Sequence, residues 1–124
     1  MHRESELHHA WVAISDLFLD TDLKSVDIRF IARRLAETSF SDEQLTDFYL
    51  NDVAPVCHIN ALPPGGEWVA FNQEWLISSI LKNRAKNQKF QRFKNKLLKR
   101  FYLMGTYDDW LRVLKELNKE RYKK

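Results

Sequence analysis

The residues with chemistry to offer are few and scattered. Asp20 and Asp22 stand one residue apart, directly after the apolar run Leu17-Phe18-Leu19. Two carboxylates at i and i+2 can converge on a divalent cation in a turn, and Asp20-x-Asp22-x-Lys24 starts like a calcium loop. Such a loop needs Gly at its sixth position and Glu at its twelfth. Ser25 and Ile31 stand there instead, so the remaining ligands are missing. Asp20, Thr21 or Asp22 is therefore expected to begin the next helix or turn, accepting backbone N–H bonds. His8 and His9 are adjacent, face different sides of a helix, and cannot easily share one metal. Cys57-His58 supplies a thiol and an imidazole without the second pair of a zinc site. Neither a base nor an oxyanion hole is signalled for Cys57 as a nucleophile, and it reads as a small buried apolar residue. Glu67 has no second carboxylate of matching role for acid–base work, and is read as pinning its loop through backbone amides. The expectation is a protein without catalytic residues, metal ligands or a cofactor.

Charge is the stronger signal. The 124 residues carry a net charge of +3, but this average conceals a split. Residues 1–67 hold 5 Lys/Arg and 12 Asp/Glu, a net −7, while residues 68–124 hold 15 and 5, a net +10. Such asymmetry points to partners that select for charge, or to halves that attract each other within the fold or between two copies of it. In the basic half, Lys82, Arg84, Lys86, Lys89, Arg92 and Lys96 are interleaved with phenylalanines. Cations of this kind contact phosphates while aromatics stack on bases. Phe90, Phe93, Leu97 and Phe101 share one helical stripe, however, which is the spacing of a core face. No DNA- or RNA-binding signature accompanies them. A helix buried on its Phe face and solvated on its Lys face is the primary reading, and nucleic-acid binding through residues 82–100 is the alternative.

The elements that would position these residues are helical. Three Gly and three Pro are too few for the many tight turns of a sandwich or barrel,. Leu7, Trp11, Ile14 and Phe18, with Ala10 and Leu17 beside them, mark a first helix over residues 4–19. Ile28, Ile31, Ala32 and Leu35 make the stripe of a second over 25–37. Ser41 and Gln44 have the spacing of a capping box, and open a third helix that buries Leu45, Phe48, Tyr49 and Val53. Pro55 disfavours continuation of this helix through Ala54. The sequence PPGGEW, residues 63–68, is the clearest loop. Asn72 is a plausible N-cap for a helix carrying Trp75, Leu76, Ile80 and Ala85. Beyond Gly105, Thr106 with Asp109 resembles a new cap, and Trp110, Leu111, Leu114 and Leu117 line a last helix. The expectation is an all-α single domain, a bundle of five to seven helices. The lone Cys57 and the absence of a signal-peptide-like N-terminus or membrane-length apolar run fit a soluble cytoplasmic protein.

Three stretches carry a resemblance: WVAISDLFLDTDL (residues 11–23), DVAPVCHIN (52–60) and GEWVAFNQEWL (66–76). In order and spacing they resemble an uncharacterised family of small bacterial helical proteins, over roughly residues 3–81. That family is similar in turn to the immunity proteins encoded beside polymorphic or contact-dependent growth-inhibition toxins. The resemblance implies binding to a cognate toxin domain and brings no catalytic residue with it. Where the toxin is a nuclease its active site is basic, and an inhibitor blocks it with carboxylates. On this reading the binding residues are sought among Asp16, Asp20, Asp22, Asp27, Asp42, Glu43, Asp47 and Asp52. The basic half would meet an acidic toxin face or a second copy of the chain.

Overall fold

A computed structural model describes residues 3–18, 23–57, 72–85 and 106–122. Its first helix, α1 (Arg3–Ser15), buries the stripe read from the sequence: Ala10, Trp11 and Ile14 are fully covered. The chain then tightens into a 3-10 turn, Asp16–Phe18, which turns Leu17 and Phe18 into the same core. Helix α2 (Ser25–Ala36) buries Ile28, Ile31, Ala32 and Leu35. Its N-cap is Lys24, so the start of α2 falls beyond Asp20, Thr21 and Asp22, which lie outside the described residues. The Asp27 carboxylate accepts from the Lys24 N–H at 3.0 Å, which satisfies a donor at the helix start.

Helix α3 (Asp42–Asp47) opens on the expected capping box. The Gln44 N–H donates to Ser41 Oγ at 3.1 Å, and the Ser41 N–H donates to Gln44 Oε1 at 2.9 Å. Ser41→Ala is expected to cost about 1 kcal/mol, read as a lowered midpoint in urea denaturation. After Asp47 the helix widens into a π-helical segment, Phe48–Val53, and runs on as α4 (Ala54–Cys57). Pro55 therefore does not end the helix as its type suggested. The wide turn supplies the reason, since the Ala54 N–H reaches back to the Tyr49 carbonyl, five residues away. In that register a proline's missing N–H and its ring no longer conflict with a carbonyl four residues earlier.

Helix α5 (Gln73–Ala85) starts where Asn72 Oδ1 accepts from the Trp75 N–H at 3.0 Å, as expected of an N-cap. Leu76 and Ile80 are its buried residues, and it packs on α1, α4 and the π-helical segment. Helix α6 (Tyr107–Arg121) buries Trp110, Val113 and Leu117. Leu111, expected in this face, is exposed instead. The covered side lies between α2 and the end of α3, and Leu111 sits one residue round from it. Thr106 adopts helical backbone and does not cap α6 through its side chain; its Oγ1 lies 2.6 Å from the Tyr49 hydroxyl.

Helices α2 and α6 run parallel. Arg112, early in α6, donates to the Leu23 carbonyl at the start of α2 at 3.2 Å. At the other end Glu120 pairs with Arg33 at 3.6 Å, and Arg121 donates to the Thr38 carbonyl at 3.2 Å. On its opposite flank α6 is wedged by Trp110, which stacks on Tyr49 with ring centroids 5.0 Å apart. Trp110 Nε1 also donates to Thr46 Oγ1 at 3.1 Å. Burial pushes the Tyr49 phenol up to about 12, so the hydroxyl stays neutral and hydrogen-bonding,. The fold is all-α, with no strand among the described residues. No described helix is long and apolar enough to cross a membrane.

Candidate functional site

The acidic candidates fall into distinct groups. Asp20 and Asp22 lie outside the described residues. Asp27 is spent on the start of α2. Asp16 pairs with Arg34 at 2.5 Å, and both side chains are mostly covered. Burial raises the Asp16 carboxyl above its ordinary value, with Arg34 working against that shift. Asp42 is drawn onto α6, where Asn118 Nδ2 donates to it at 2.9 Å and Arg121 approaches to 3.7 Å. Five of the eight, counting Asp47 and Asp52 below, are thus held by the fold's own donors and cations.

Asp52 is the most constrained. It is 5 % exposed, accepts from Trp11 Nε1 at 3.1 Å, and lies 3.3 Å from Arg84 Nε. The Arg84 guanidinium also sits 5.4 Å from the centroid of the Trp11 ring. Burial pushes the Asp52 carboxyl up, while Arg84 and the indole N–H oppose that shift and nearby Asp47 adds to it. One carboxylate thereby ties α1, the π-helical segment and α5 together. Two pairs, Asp52–Arg84 and Asp42–Arg121, set acids of the acidic half against cations of the basic half, so part of the charge asymmetry is satisfied inside the molecule.

Glu43 remains. With Asp47, whose carboxylate accepts from Asn51 Nδ2 at 2.5 Å, it shares a groove. Its volume is about 660 Å³, and among the described residues it is lined by Glu4, Leu7, Phe40, Glu43, Gln44, Asp47, Phe48 and Arg84. Residues 43, 44, 47 and 48 recur at helical spacing, which brings them to one side of α3 and its π-helical continuation. Leu7 and Glu4 face them from α1. Phe40 and Phe48 meet edge to face, centroids 4.9 Å apart, and give the groove a rigid aromatic wall. The size suits a bound side chain or small ligand, and the few polar groups on an apolar lining are what such sites use. Sequence reading named Glu43 and Asp47 but missed Glu4, Leu7, Phe40 and Phe48. The available signal was the i, i+4 recurrence of 43/47 and 44/48, which places two acids beside an aromatic.

Of the basic candidates, Lys82 is exposed on α5, and Arg84 is held by Asp52 and Trp11. Lys86, Lys89, Arg92 and Lys96 lie outside the described residues, as do His58, Glu67 and the Phe stripe from Phe90 to Phe101. His9 Nε2 lies 3.1 Å from the Arg34 carbonyl and 3.2 Å from Glu37, a contact between α1 and the end of α2. Cys57 is buried. Burial and then the Asp16 charge push its thiol up, which disfavours the thiolate a nucleophile needs. Among the described residues, no group of three or more His, Cys, Asp or Glu could hold a metal ion.

No curated protein and no solved structure matches the chain. A family match runs over residues 5–116, from the first turn of α1 into α6, and takes in every groove residue except Glu4. The chain belongs to this family, described as a domain of unknown function (DUF7079).

Proposed function

We propose that this chain is a non-enzymatic immunity protein that binds a cognate bacterial toxin domain, a nuclease, and blocks its active site in the cytoplasm. The observation that carries the reading is the groove: Glu4, Glu43 and Asp47 stand around an apolar floor of Leu7, Phe40 and Phe48. A nuclease cleft is basic because it binds phosphates. A surface of carboxylates steers it into contact and then competes with its substrate. The apolar floor adds the desolvated contact that holds such a complex once formed. The resemblance of the three sequence stretches to a family of small bacterial helical proteins, similar in turn to immunity proteins, supports the same reading.

The test is a complex with the toxin domain encoded beside this chain. A one-to-one complex and protection of growth are expected. In it, Glu43→Lys with Asp47→Lys is expected to slow association roughly tenfold and to flatten its salt dependence. Unchanged association and protection in the double variant would place the interface elsewhere. Retardation of RNA or DNA at low salt, without toxin binding, would favour the nucleic-acid alternative instead.

A further inference from the structure

The groove's lining also says which side chain of a partner would enter it. An anion would be repelled by three carboxylates. A neutral apolar group would cover those carboxylates without giving them a partner, which is costly. The occupant must therefore be a cation that tolerates an aromatic wall. An ammonium is a compact, strongly hydrated charge. A guanidinium is flat and weakly hydrated, stacks on rings, and forks onto carboxylates. Two of the acids are free to receive it. Glu6 is engaged by Ser39, Asp42 by Asn118, and Asp47 by Asn51, whereas Glu4 and Glu43 have no ion pair or hydrogen bond among the described residues. The lining's cation, Arg84, is already neutralised by Asp52 at 3.3 Å. It also displays the same chemistry within the chain, a guanidinium on an aromatic ring beside a carboxylate.

We propose that the groove is a socket for one arginine side chain of the partner, its guanidinium set against the Phe40–Phe48 wall and forked onto the carboxylates of Glu4 and Glu43. This rests on the inhibitor reading for its partner, and names the residue type by which that partner is recognised.

The probe is N-acetyl-arginine amide, titrated into the full chain and followed by NMR shifts of the groove residues, with N-acetyl-lysine amide as comparison. Saturable shifts confined to the groove are expected with the arginine probe, and binding about fivefold weaker or less with lysine. Glu4→Gln with Glu43→Gln is expected to weaken the arginine probe about tenfold while lowering the urea midpoint only slightly, because both side chains are exposed and act on the fold only through the first turns of α1 and α3,. Equal binding of the two probes, indifference to the double variant, or no saturable shift would each overturn the socket. If the toxin complex weakens in that variant while the arginine probe never binds, the socket falls and the inhibitor reading stands. If the variant loses the probe but binds the toxin as before, the socket stands and its place in the interface falls.

Discussion

Trp110→Ala is expected to lower the free energy of unfolding by about 3–5 kcal/mol. The indole is fully buried, and its removal leaves a cavity between α6, α3 and the π-helical segment. It also strips Tyr49 of its stacking partner and Thr46 of the N–H bond at 3.1 Å. Trp110→Phe separates these contributions. The smaller ring still stacks, and the lost N–H bond to a half-buried hydroxyl costs about 1 kcal/mol. Urea denaturation followed by far-ultraviolet circular dichroism measures both, independently of the lost fluorophore. Equal losses in the two variants would mean that the ring is not what wedges α6 in place.

The second large effect belongs to Arg84→Ala. It leaves a buried carboxylate, Asp52, without its cation. The expected loss is about 3 kcal/mol at pH 7, the low end for a broken buried pair, because Arg84 is itself nearly half exposed. The loss is expected to depend on pH with a definite sign. The Asp52 carboxyl is already raised by burial, and removing Arg84 raises it further. A carboxyl with a raised folded-state value binds its proton more tightly in the folded state. Its favourable contribution is therefore complete below 3.8, the ordinary value, and is lost as pH rises through the raised one,. The cost of Arg84→Ala should accordingly be small near pH 3.8 and full by neutrality. In an Asp52→Asn background it should fall to about 1 kcal/mol, the lost ring contact, and no longer change with pH. A cost that is the same at both ends of the range would mean that Asp52 is not the group left unpaired.

Much of this architecture is legible in the residues themselves, because helices report their buried face through local spacing. The stripes of α1 and α2, the Ser41–Gln44 box and the Asn72 cap each rest on residues three or four apart. Where the period departs from that of an α-helix, the reading slips. The π-helical turn carries the helix past Pro55, and no pattern of side-chain types announces it. In α6 the spacing cannot choose between Leu111 and Val113, since only the position of α2 and α3 decides which side is covered. The site was half legible for a related reason. Asp42, Asp52, Glu43 and Asp47 look alike as acids of one helix. Arg84, 32 residues from Asp52, and Asn118, 76 residues from Asp42, set those two apart as structural carboxylates. That sorting exists only once distant segments have met.

The parallel pairing of α2 with α6 also governs the order in which the molecule can be assembled. Arg112 and Leu23 are 89 residues apart, and Arg121 and Thr38 are 83 apart. Closing a chain loop of that length costs on the order of 4 kcal/mol in entropy before any contact along the seam offsets it. A chain still emerging from a ribosome can bring α1 to α4 together early, through near neighbours. It cannot cover Ile28, Ile31 and Leu35 with α6, or give Asp42 its partners, until residue 121 has left the exit tunnel. Until then the core side of α2 is open, and completion of the fold waits on α6.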